Sequence, residues 1–116
     1  MNGQKIKPLT NRKTSNTKEY PKGIFRTTMA YNDMTMMCHF TMTKGAKIPL
    51  HQHEAVQNGY VIGGKVRFIG ENESSFIVGP GSGYVFGSNE PHGAEVLEES
   101  EIIECFSPMR PEYADD

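Results

Sequence analysis

Apolar and polar positions alternate with a period of two through most of the chain from Gly23 to Ser107, and short clusters of Gly, Pro, Asn, Asp and Ser separate the alternating runs. The pattern predicts strands at about 23–30, 34–42, 47–51, 56–62, 65–69, 75–78, 83–86, 92–97 and 101–107, and no helix longer than one turn. Gly63-Gly64, between two strand-like runs, predicts a tight hairpin, because Gly supplies the positive φ that a primed turn needs. Within 34–42, Met36, Cys38, Phe40 and Met42 share one parity and predict a core-facing side, the methionines filling irregular space. His39 falls on the other parity and is expected as a polar residue of the outer face. Many short strands at close spacing predict an all-β sandwich or barrel.

Residues 1–22 have no apolar period and are expected to form an arm or a disordered tail; an ordered arm would lay an edge strand on a neighbouring subunit. One barrel domain over 23–113 and a short tail over 114–116 complete the expected organisation, since 116 residues suit a single core. Lys and Arg number 12 against 14 Asp and Glu, and they form no basic block, which argues against a nucleic-acid partner. No apolar stretch suits a secretory signal or a membrane span, so a cytoplasmic address without membrane contact is expected. The two cysteines, Cys38 and Cys105, are too few for a disulfide scaffold and too far apart for a CxxC motif; both are expected as small buried apolar residues.

The candidate chemistry begins at His51 and His53. Two residues apart on an extended segment, their imidazoles emerge on one side, close enough to grip one cation. Gln57 keeps the same parity and can aim its amide oxygen into the same space, whereas Glu54, an alternative carboxylate ligand, has the opposite parity. His92, which follows Pro91 at the start of a strand, joins them if antiparallel strands close into a small barrel. Three imidazoles and an amide suit one divalent ion, whether Ni, Zn, Fe, Mn or Co. They leave its double charge uncompensated within the ligand set, which strengthens it as a Lewis acid and disfavours dioxygen chemistry. Near the C-terminus, Ile102, Glu104 and Phe106 share one face of a strand; a carboxyl between two apolar neighbours is expected to face a cavity with a raised pKa, as suits a general acid/base. Arg110, beyond the strand-ending Pro108, reads equally as a carboxylate-binding group at the barrel mouth or as a solvated surface charge.

The run from Gly45 to Gly64 resembles the first cupin motif, supplying Gly45, His51, His53 and Gly64 at the motif's spacing, with Gln57 where most cupins carry Glu. The second motif is matched by Gly81 and His92, while Gly87, Asn89 and Val96 depart from it; Asn tolerates the left-handed backbone of a turn at Asn89. The HxHxxxQ run, the SNEPHGAE run ending the second motif and the terminal FSPxR segment resemble the KdgF-type pectin-degradation cupins, over about Gly23 to Glu112. That resemblance implies a small jelly-roll (double-stranded β-helix) barrel, a divalent metal on His51, His53, Gln57 and His92, and a homodimer. It implies a redox-neutral enzyme acting on a small anionic sugar acid, converting 4,5-unsaturated monouronates to linear ketonised products. The family's acid, aromatic and arginine of the last strand fall on Glu104, Phe106 and Arg110, with Glu here in place of the usual Asp. Two other functions remain for the same residues: a metal-dependent dioxygenase of a small acid, and a non-catalytic sugar-acid sensor.

Overall fold

The computed structural model describes residues 6–114. Eight strands follow one another: β1 (Lys18–Glu19), β2 (Ile24–Tyr31), β3 (Met36–Met42), β4 (Lys47–His51), β5 (Val56–Ile69), β6 (Ser75–Val78), β7 (Gly83–Phe86) and β8 (His92–Ser107). Short 3-10 turns at Arg12–Thr14, Glu71–Glu73 and Pro111–Tyr113 are the only helical elements among the described residues, and none is long and apolar enough to cross a membrane.

All pairings are antiparallel, and β5 and β8 form the spine. The first half of β8 pairs with β4 and its second half with β3; the first half of β5 pairs with β7 and its second half with β6. The sheet therefore folds over along the spine into two layers, one in the order β1-β2-β3-β8-β5-β7 and one in the order β4-β8-β5-β6. This is the jelly-roll barrel that the cupin resemblance implies, and one of the all-β forms that the close strand spacing allows. Its interior is filled by inward-facing residues of both layers, among them Ile24, Met36, Cys38, Val61, Val96, Ile102 and Phe106, each almost wholly buried. Burying each of the larger ones is worth roughly 1.5–3 kcal/mol before the conformational entropy is counted.

Two expectations are corrected. Gly63-Gly64 does not close a hairpin: β5 runs continuously through it, and both of its halves pair with β8. The two glycines instead lie where the β5·β8 register shifts, and the Ser100 Oγ accepts from the Lys65 N–H at 3.0 Å across that bulge. Local Gly signals serve a bulge and a turn equally well, and here the bulge bends the strand from one layer into the other. By the same mechanism the runs at 92–97 and 101–107 are one strand, β8, bent around Glu98–Ser100. The segment ahead of the barrel pairs within its own chain: Lys7 bridges Tyr31, β1 pairs with β2, and the Thr17 and Thr27 hydroxyls meet at 2.7 Å. Residues 1–5 of the expected arm and 115–116 of the expected tail lie outside the described residues.

His39 is on the outer face, as its parity requires, but it is buried there, and its Nε2 lies 2.6 Å from Glu101 Oε2. Cys38 is buried; Cys105, on the outer parity of β8, is half-buried.

Candidate metal centre

His51 ends β4 and His92 begins β8, and the ladder makes them direct partners. His53 follows on the loop into β5. One candidate ligand atom from each of the three rings lies within 4.8 Å of the other two. Glu54 is not part of this cluster. The turn that delivers His92 is shaped by Asn89, in the left-handed region at φ 59°, and by the Asn89 N–H donating to the His53 carbonyl at 2.7 Å, which ties the two ligand-bearing loops together.

Each ring is oriented by a backbone carbonyl. Nδ1 of His51, His53 and His92 lies 2.9, 2.8 and 2.8 Å from the carbonyls of Pro49, Ala55 and Glu90. A carbonyl can only accept, so each Nδ1 carries the proton and each Nε2 of a neutral ring is left with a bare lone pair. Burial lowers the pKa of His53 and takes that of His92 down to about 4, so both rings are neutral at pH 7.

Gln57, on the inner face of β5, is buried and turns its Oε1 to within 3.0 Å of His53 Nε2 and 3.2 Å of His92 Nε2. Its Nε2 donates to Glu104 Oε2 at 2.8 Å, and this bond sets which end of the amide faces the histidines. An amide oxygen and bare imidazole nitrogens are all acceptors, so the cluster is a set of lone pairs turned on one another with no proton between them. A cation relieves that arrangement, and imidazole with amide oxygen is a donor set that divalent transition metals accept. The residues present therefore fit a metal ion.

Glu104 lies on β8 between Ile102 and Phe106, facing inward, 5% exposed. Burial raises its pKa; hydrogen bonds from Tyr84 and Gln57 and the charge of Arg110 offset part of that rise. The carboxylate also supplies the negative charge that the ligand set lacks, one residue out from the histidines. This gives a physical reason for Gln at position 57: an amide can offer an oxygen to a cation and a proton to a carboxylate at once, which a Glu cannot.

A cavity of about 310 Å³ opens beside the histidines, and its wall includes His51, Gln57, His92, Glu104, Phe106 and Arg110. The Arg110 guanidinium stacks 5.2 Å from the Phe106 ring centroid and 4.2 Å from that of Tyr113, and donates to Glu112 Oε2 from Nε and Nη2 at 3.1 and 2.9 Å. It is thus held at the cavity rather than free in solvent. Two tyrosines that touch the groups of this wall escaped the sequence reading. Tyr84, on β7, donates to Glu104 Oε2 at 2.5 Å, and Tyr113 closes the wall from the C-terminal turn. The parity of GYVF in β7 puts Tyr84 on the same face as Phe86, but its partner becomes visible only once the β7·β5·β8 register is known.

A jelly-roll barrel with converging histidines at one end defines a class, and the comparisons agree with it. Residues 38–106 match the cupin domain family, and the chain belongs to that family. It is similar to the pectin degradation protein KdgF of Dickeya dadantii (strain 3937), at 35% identity over 97 residues, 82% of this chain and 87% of that one. Among solved structures, KdgF from Halomonas sp. superposes with a TM-score of 0.81 at 30% identity, covering 91% of this chain and 96% of the other. An RmlC-like cupin from Shewanella frigidimarina shares the fold with a TM-score of 0.85 at 21% identity, covering 95% and 97%.

Proposed function

We propose that this chain is a metal-dependent cupin enzyme of pectin or alginate breakdown that converts a 4,5-unsaturated monouronate into its linear ketonised form. The observation that carries the proposal is Glu104, a buried carboxyl in a cavity wall joined through the Gln57 amide to His53 and His92 of the three-histidine cluster. Kinship with two proteins named KdgF, at 35% and 30% identity over most of the chain, supports the substrate class.

The conversion is redox-neutral. A proton leaves the C1 hydroxyl, the C1–O5 bond breaks with its electron pair going to O5 to give an aldehyde at C1, and the enolate left at C5 becomes a ketone when C4 takes up a proton, with no net change in protons or electrons. Bound by His51, His53, His92 and Gln57, one divalent ion (Ni, Zn, Fe, Mn or Co) would supply Lewis acidity toward the substrate's oxygens. Glu104 moves the proton, through the carboxyl oxygen that is not engaged by Gln57 and Tyr84. Arg110, pre-oriented by Phe106, Tyr113 and Glu112, offers its remaining N–H groups to the uronate carboxylate. Phe106 keeps bulk water from the reacting centre. A small anionic sugar acid is then the partner, with no nucleic acid or membrane involved, and a homodimer in the cytoplasm is the setting the kinship suggests.

The test is an assay of metal-loaded protein on unsaturated galacturonate and on its alginate-derived counterpart, following loss of absorbance of the conjugated double bond, with elemental analysis of the same sample. Absorbance should fall without oxygen consumption, and Glu104→Gln should abolish the loss while metal content stays constant. Fully loaded protein that leaves both substrates intact would overturn the proposal, and turnover retained in Glu104→Gln would remove Glu104 from it.

A further inference from the structure

Tyr84, Gly59 and Glu104 are aligned across three neighbouring strands, Gly59 being the Cα partner of both others. All three lie on the inner face. The middle position carries no side chain, and the Tyr84 phenol crosses above it to reach the carboxylate on the far strand. A Cβ at Gly59 would collide with the Tyr84 hydroxyl and with the ring carbon that bears it, so only glycine leaves this path open. Packing alone does not require the hydroxyl: the ring sits against Phe68 at 4.5 Å and Phe86 at 5.8 Å between centroids, and a phenylalanine would fill the same space.

The hydroxyl changes what Glu104 can do. Oε2 accepts from both Tyr84 and Gln57, at 2.5 and 2.8 Å, which uses both of its lone pairs in the carboxyl plane. A proton taken up by Glu104 must then sit on Oε1, the oxygen on which no hydrogen bond from the described residues falls and the one left to the cavity. The same saturation governs Gln57. Were Oε2 to carry a proton, it could donate to the amide oxygen and turn the amide around, presenting an NH2 group to the histidines instead of an acceptor. Tyr84 closes off that alternative.

We propose that Tyr84 is a positioning residue: by holding Glu104 Oε2 it keeps the Gln57 oxygen turned to His53 and His92 and leaves Glu104 Oε1 as the proton-carrying oxygen of the cavity. The statement about Glu104 rests on the uronate reaction proposed above; the statement about Gln57 does not. Tyr84→Phe keeps the ring and removes the hydroxyl, Gly59→Ala keeps the hydroxyl and displaces it, and Tyr60→Phe, on the exposed face of β5, is the control.

With Co(II) alone as the probe, chelator competition and the visible ligand-field spectrum should show weaker binding, roughly five- to tenfold, and an altered spectrum in Tyr84→Phe and Gly59→Ala but not in Tyr60→Phe. On the unsaturated uronate, kcat should fall roughly tenfold or more in both variants, with KM within about twofold of wild type. Co(II) affinity and spectrum unchanged in both variants would overturn the role toward Gln57, and unchanged kcat in both would overturn the role toward Glu104. If wild-type protein leaves the uronate intact, the proposed reaction falls while the Co(II) measurements still decide whether Tyr84 holds the amide.

Discussion

His51 and His92 face one another as paired residues of the β4·β8 ladder, their ring centroids 4.4 Å apart. Neither strand would bring its imidazole to the other without the barrel, so the histidine cluster is a product of closure.

Replacing one of this pair isolates the ligand role from the fold. His92→Ala, in a strand whose backbone pairing it leaves intact, should keep the β-sheet circular dichroism of the wild type. It should weaken divalent-ion binding by more than about 100-fold. Elemental analysis after dialysis would read the loss, and wild-type metal content in the variant would exclude His92 from the ligand set.

Gln57→Glu tests why an amide stands there. A carboxylate at 57 would offset part of a cation's charge but would also set two carboxylates against each other where the Gln57 N–H now donates to Glu104 at 2.8 Å. Turnover is expected to fall by roughly 100-fold, the size of effect that removal of a positioned acid/base group produces, with metal still bound. A variant as active as wild type would show that the bond to Glu104 is dispensable.

Gly64→Ala probes the bulge. Gly64 has φ 95°, and a Cβ there would collide with Ser100 and with the Glu99 carbonyl. Backbone strain of this kind costs about 1–3 kcal/mol before the collision is counted, so thermal unfolding should move down by roughly 5 °C or more. A melting temperature within a degree of wild type would contradict the close approach of β5 and β8 at this point.

The thiols offer a check on burial that is independent of the metal. Burial pushes the Cys38 thiol up to about 12, partly opposed by its hydrogen bond to Thr28. Below that pH the group stays protonated, and at pH 8 only about one molecule in 10,000 carries the reactive thiolate. A disulfide reagent at pH 8 should therefore modify Cys38 only after denaturant is added, with half-buried Cys105 reacting first. Two thiols reacting together in the native protein would disprove the packing around Cys38.

How far the sequence reveals this arrangement depends on the range over which each signal acts. The shared parity of Met36, Cys38, Phe40 and Met42, and of Ile102, Glu104 and Phe106, is local, and all seven side chains are buried as alternation requires. The histidine pair is legible for the same reason, and the cupin motif spacing extends it to His92. Long-range register is not written locally. Gly63-Gly64 carries the chemistry of a turn whether the chain reverses there or merely bends, and only the pairing of both halves of β5 with β8 decides which. Tyr84 is silent for the same reason: GYVF reads as a short strand, and neither the bare Gly59 beside it nor the carboxylate beyond is adjacent in the chain.

The long spine has a further consequence. Gln57, Glu104 and His92 ride on β5 and β8, which pass through both layers and share the most extended pairing in the molecule. No flap or hairpin can peel away and carry off one of these groups by itself, so the Gln57, Glu104 and His92 side chains should keep their places up to the temperature at which the whole domain melts, and lose them together in a single step.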